Sequence, residues 1–89
     1  MSEQTTTICN KLGLHARAAS KLANTANQFS SKVTVSCNGK AIDAKSIMSL
    51  MLLAACKGTD ITITAEGSDA DLAVASVVEL INNRFDEDE

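Results

Sequence analysis

The chain has 89 residues, 45% of them hydrophobic and 21% charged, with a net charge of −3, which suits one small globular domain over 1–89. With no basic cluster and only two aromatic residues, both Phe, it lacks the phosphate-neutralising surface and stacking platforms of a nucleic-acid binder. No apolar run approaches the ~20 residues of a membrane span, and Met1-Ser2-Glu3-Gln4 carries no signal-peptide pattern, so a cytoplasmic protein without membrane insertion is expected.

Gln4 to Cys9 is rich in β-branched residues and reads as the first strand. Asn10 to Leu14 forms a loop, and from His15 onward Ala19, Leu22, Ala23, Ala26 and Phe29 follow helical spacing, predicting an amphipathic helix to about Phe29. Lys32 to Cys37 alternates strictly and is followed by Asn38-Gly39, a pair suited to a two-residue hairpin turn. That turn pairs Cys37 with Lys40 and Val35 with Ile42, which puts apolar residues opposite one another on one face.

Ser46 precedes an apolar run from Ile47 to Cys56 that closes with Lys57-Gly58, predicting a second helix with Ser46 as its N-cap. Asp60 to Ala65 alternates as a fourth strand. Ser68 and Asp71 have capping-box spacing, and Val74, Val77, Val78, Ile81 and Phe85 mark the buried stripe of a third helix. Asp86-Glu87-Asp88-Glu89 reads as a frayed, solvated tail, since carboxylates repel the negative end of a preceding helix. The order β-α-β-β-α-β-α places three helices on one face of a four-stranded antiparallel sheet, an α+β open-faced β-sandwich. Cys9, Cys37 and Cys56 are odd in number and lack a Cys-x-x-Cys pair, so free thiols are expected. With His15 as the only imidazole, neither a zinc set nor any other cofactor is expected.

Two features carry chemistry. Gly13-Leu14-His15-Ala16-Arg17 places the single histidine at a helix start, where the backbone N–H groups of Ala16 and Arg17 can hold an anion. Neutral imidazole is a nucleophile, and Arg17 can clamp oxyanions, so the set suits a phosphoryl group bound covalently to His15. A plain capping or surface histidine fits the same pattern. The second feature is the oil of the second helix. Leu50, Leu53 and Ala54 form one stripe, and Ile47, Met48 and Met51 another about 120° away. Periodicity does not say which stripe faces the core, but a domain this small is expected to leave one as a patch for a partner, a role that flexible methionines suit.

The Gly13–Arg17 segment, the Asn38-Gly39 hairpin and Ala44-Lys45-Ser46-Ile47-Met48, at their mutual distances, resemble the histidine-containing phosphocarrier (HPr) family of the bacterial phosphoenolpyruvate-dependent sugar phosphotransferase system. The resemblance covers nearly the whole chain. It implies a carrier rather than an enzyme: His15 accepts phosphate at Nδ1 from enzyme I and donates it to IIA domains of sugar permeases, with Arg17 stabilising the phosphate. It also implies docking through Ile47, Met48 and Met51, and regulation by a serine kinase and phosphorylase acting on Ser46. The family commonly has proline after the arginine, where this chain has Ala18. Proline in a first helical turn adds only stiffness, so Ala18 leaves phosphorylation intact. Two rivals share features: a carrier of the nitrogen-related regulatory branch, and a ferredoxin-like ligand- or metal-binding module with an overlapping element order. The missing Cys-x-x-Cys and the His15–Arg17 placement weigh against the latter.

Overall fold

The computed structural model describes residues 1–8, 13–37, 39–53 and 57–86. Along the chain these form β1 (Ser2–Thr7), α1 (Ala16–Ala26), β2 (Lys32–Cys37), β3 (Lys40–Asp43), α2 (Ile47–Leu53), β4 (Asp60–Glu66) and α3 (Ala70–Asn82), followed by a short turn, Arg84–Asp86. The four strands make one antiparallel sheet in the order β1-β4-β2-β3. The element order and class are those expected from the sequence.

The β2–β3 register pairs Cys37 with Lys40 and Val35 with Ile42, as the two-residue turn requires. Gly39 adopts φ +83, the left-handed conformation such a turn demands. Its neighbour Asn38 lies outside the described residues, as do Cys9, Asn10 to Leu12, Ala54 to Cys56 and 87–89 of the acidic tail. Alternation divides the sheet cleanly. Val33, Val35, Ile61, Ile63 and Ala65 are buried beneath the helices, while Thr5, Thr34, Ser36, Thr62 and Thr64 occupy the other, open face. There the Thr5 and Thr62 hydroxyls meet at 3.1 Å. On the helical side Leu22 from α1, Leu50 from α2 and Val77 and Ile81 from α3 join those strand residues in one continuous core. Ala18, Ala19, Ala23 and Ala26 are all buried on α1, and such short side chains let a helix lie close to the sheet and its neighbours.

Several boundaries differ from the sequence-based expectation: β1 closes at Thr7 rather than Cys9, and β4 runs on to Glu66 rather than stopping at Ala65. β1 runs from Ser2 rather than Gln4, because the ladder to β4 extends to Ser2–Ala65 and Glu3–Thr64 regardless of side-chain polarity. α1 ends at Ala26 rather than near Phe29. There Asn27 donates from both its backbone N–H and its side-chain amide to the Ala23 carbonyl, each at 2.9 Å, and the next bonds, Gln28 to Thr25 and Phe29 to Ala26, span three residues instead of four.

At the start of α3 the cap position belongs to Asp69, not Ser68, and the Asp69 side chain makes no bond to its own helix. It accepts instead from the backbone N–H groups of Ser30 and Ser31, each at 2.9 Å, and from the Ser31 hydroxyl. These bonds, led by that of the Ser31 hydroxyl, hold the Asp69 carboxyl below the usual carboxylate range. The crossing is tight. A Cβ on Gly67 would stand 2.5 Å from Ser31 Oγ and 2.8 Å from its Cα, so only glycine fits here. Finally, Phe85 is fully buried as expected but not on a helical stripe. α3 ends at Asn82, and Arg84 and Phe85 turn left-handed, at φ 56 and 54, to bring the ring into the core. The Lys21 ammonium on α1 donates to the Phe85 carbonyl at 2.7 Å and fixes the turn.

Candidate functional site

Gly13 takes φ +66 and Leu14 is buried, which together anchor the chain as it enters α1. His15 follows with extended backbone, φ −81 and ψ 179, and occupies the N-cap of the helix. Its carbonyl accepts the first intrahelical bond, from Ala19 N–H at 2.8 Å. Its ring does what a serine or aspartate oxygen does in an ordinary cap: Nδ1 accepts from the Arg17 backbone N–H at 3.3 Å. An accepting Nδ1 places the ring hydrogen on Nε2. The ring nitrogen at the helix mouth is thus a lone-pair donor aligned with the positive end of an eleven-residue helix. His15 is half-exposed, and Ala16 and Arg17 are exposed at the same edge. The sequence-predicted histidine thus stands at the helix start, and it is the backbone N–H of Arg17 that meets its ring.

Ser46 sits at the other end of α1. Asn27, the residue closing α1, donates through Nδ2 to the Lys45 carbonyl at 3.3 Å, and the Lys45 ammonium reaches back to the Phe29 carbonyl at 2.9 Å. The Asp43 carboxylate accepts from Lys45 N–H at 2.9 Å, turning the chain out of β3. Ser46 then caps α2, its Oγ accepting from Ser49 N–H at 3.3 Å. Eleven residues of α1 at 1.5 Å each span about 16 Å, so Ser46 and His15 are not neighbours along that helix.

The two stripes of α2 are resolved by burial. Leu50 is fully buried and Leu53 half-buried, whereas Ile47, Met48 and Met51 are 38%, 71% and 44% exposed. Leu52, which neither stripe included, is 77% exposed. The signal that finds it is its spacing four residues after Met48, which extends the Ile47–Met51 face by one row. Ile47, Met48, Met51 and Leu52 thus form a contiguous uncovered surface on a helix that packs against α1. Among the described residues Cys37 is a free thiol, buried on the core side of β2.

Comparison with known proteins decides the family. A model described as "PTS HPr component phosphorylation site" matches residues 2–83. The chain belongs to the HPr family. It is accordingly a phosphocarrier of the phosphotransferase system and not an enzyme. Phosphocarrier protein HPr of Xylella fastidiosa is 49% identical over 88 residues, covering 99% of each chain. The crystal structure of HPr-C-His from Thermoanaerobacter tengcongensis superposes with a TM-score of 0.96 at 42% identity over the whole of both chains. Phosphocarrier protein NPr of Shewanella violacea is 44% identical over 85 residues, 96% of this chain and 93% of that one. No described helix is long and apolar enough to cross a membrane.

Proposed function

We propose that this HPr-family carrier accepts a phosphoryl group on Nδ1 of His15 from phosphorylated enzyme I in the cytoplasm and passes it to IIA domains of sugar permeases. The observation that carries the proposal is the His15 cap. Nδ1 is pre-oriented by the Arg17 N–H, which would otherwise lack an intrahelical acceptor. In the transfer step the Nδ1 lone pair attacks phosphorus in line with the bond to the donor. The new N–P bond forms as the old bond breaks, and the bonding pair leaves with the donor. The Arg17 N–H then passes from Nδ1 to a phosphoryl oxygen, so the group that aimed the nucleophile goes on to stabilise the product. Phosphoryl transfer depends chiefly on such positioning and charge stabilisation.

Magnitudes favour a relay over a store. A helix start stabilises an adjacent anion by about 0.3–1 kcal/mol, and a charge-assisted hydrogen bond from Arg17 adds about 1.5–3 kcal/mol. These contributions orient a phosphoryl group without trapping it. The uncovered face of Ile47, Met48 and Met51, with Leu52 added, serves as the docking surface that selects donor and acceptor.

Ser46 is the regulatory position of this reading. A phosphate there would sit at the N-cap of α2, a position that suits anions, and would bring about −1.5 to −2 charges beside Ile47 and Met48. Because Ser46 lies at the end of α1 away from His15, the added charge acts through docking rather than on the imidazole. Mass mapping after incubation with a serine kinase and ATP tests the modification, and absence of phosphate on Ser46 removes it. Resemblance to the NPr of Shewanella violacea supports a second reading, in which the same histidine serves a nitrogen-related branch.

Phosphoenolpyruvate with enzyme I from each branch tests both readings. The sugar-branch enzyme is expected to place an acid-labile phosphate on the wild-type chain and none on His15→Ala. Labelling by the nitrogen-branch enzyme alone would move the assignment to that branch, and an unlabelled wild type with both would refute the carrier role of His15.

A further inference from the structure

The chain has three methionines, and none of them belongs to the core. The core is built from Ile, Leu, Val, Ala and Phe, with Cys37. Met1 precedes β1 and is exposed, while Met48 and Met51 stand three residues apart on α2, both on its uncovered face. A thioether is apolar, yet its sulfur is readily oxidised to a polar sulfoxide, a change that disrupts a core when the methionine is part of one. Here the same change leaves the core untouched and falls on the surface alone. The Cys37 thiol, by contrast, is buried and shielded from a dissolved oxidant. The surface is one where polarity counts. α2 carries no charged residue, so Met48 and Met51 lie between Ile47 and Leu52 in a wholly apolar exposed set.

We infer that Met48 and Met51 form a reversible redox modification site, at which oxidation by a peroxide to the sulfoxides closes the docking face to partners. The inference rests on the proposed docking role of that face and goes beyond it by assigning its regulation. In the step, a sulfur lone pair attacks one oxygen of hydrogen peroxide. The S–O bond forms as the O–O bond breaks, and the second oxygen leaves as water with both protons. The thioether loses two electrons and the peroxide gains them. A methionine sulfoxide reductase reverses the change, two thiols giving up their hydrogens to release the oxygen as water and leave a disulfide. A partner covering the oxidised face must strip water from each sulfoxide oxygen, and it forfeits the gain of burying a thioether. Docking is weakened and the chemistry of the imidazole is not.

The test treats the full chain alone with hydrogen peroxide, removes the oxidant, and restores oxidised thiols with dithiothreitol, which leaves sulfoxides in place. Peptide mass mapping then locates the added oxygen, and phosphoryl transfer from enzyme I is measured across carrier concentrations. One added oxygen is expected on each of Met48 and Met51, with KM raised about fivefold or more and kcat preserved. Thermal melts should superpose on those of the untreated chain, and methionine sulfoxide reductase should return KM to its starting value. The double variant Met48→Leu/Met51→Leu, compared with its own untreated sample, is expected to show no response to peroxide. Unoxidised Met48 and Met51, an unfolded product, or an equal response in the double variant would each overturn the inference. So would full oxidation with an unmoved KM, and Met48→Asp then separates the two levels of the argument. A raised KM for Met48→Asp leaves the docking role standing while the redox site falls; an unchanged KM for that variant removes both.

Discussion

Met48 offers the most discriminating perturbation of the docking surface, because its energetic role differs between the free and the bound chain. In the free protein 71% of the residue faces solvent, so Met48→Ala is expected to change unfolding stability by no more than about 0.5 kcal/mol. Fully burying a methionine is worth about 1.5–3 kcal/mol. A partner covering the exposed part would therefore gain about 1–2 kcal/mol from Met48, a factor of about 5–30 in affinity. Met48→Asp should weaken docking further, since a carboxylate covered without a partner is costly to desolvate. The assay is the initial rate of phosphoryl transfer from enzyme I at carrier concentrations below and above saturation. A higher KM with kcat preserved is expected for both variants, alongside thermal melts that superpose on wild type. Leu50→Ala is the contrasting control. Leu50 is fully buried on the same helix, so truncation is expected to destabilise the fold by about 2–5 kcal/mol while leaving the exposed apolar face in place. Unchanged transfer kinetics for Met48→Asp with both enzyme I and an IIA domain would refute the docking role of this face.

Two further predictions concern the long-range contacts that define the fold. Asp69 has a carboxyl held below its ordinary range by the Ser31 hydroxyl and the N–H groups of Ser30 and Ser31. Its contribution to stability is fully present above the unfolded-state value of about 3.9 and is lost as pH falls through the lower folded-state value. Urea unfolding of the wild type should therefore weaken with acidification below that point, and Asp69→Asn should flatten that part of the profile. Parallel profiles would contradict the assignment. Phe85→Ala is expected to cost about 3–5 kcal/mol, because the ring is fully buried and its backbone is held in a left-handed turn by Lys21. Hydrogen exchange should show protection lost first at the α1–α3 contact, and uniform loss across the sheet would argue against a local anchor.

What the sequence revealed and what it concealed divide along sequence separation. The hairpin register was legible because alternation and the turn pair act within a dozen residues, and it matched at Val35–Ile42. The His15 and Ser46 caps were legible for the same reason, each acting on an N–H two or three residues on. Asp69 was concealed because its acceptors' partners lie 38 and 39 residues away, which let a local Ser68 cap look equally good. Phe85 was read as buried but assigned to a helix, since helical spacing and a left-handed turn can both return an apolar residue to the core. On α2 an almost encircling set of apolar residues made periodicity uninformative. Only the packing of Leu50 toward the sheet separated the covered stripe from Ile47, Met48 and Met51 and brought Leu52 into the exposed set.

The central claim is that the nitrogen held at the mouth of α1 is the one that carries the phosphoryl group. A 31P–15N correlation on the 15N-histidine-labelled chain, charged with phosphoenolpyruvate and enzyme I, tests it most directly. Coupling of phosphorus to Nδ1 of His15, with the Arg17 amide shifted at the same time, is the predicted result. Coupling to Nε2, or phosphorus on any residue other than His15, would contradict the account.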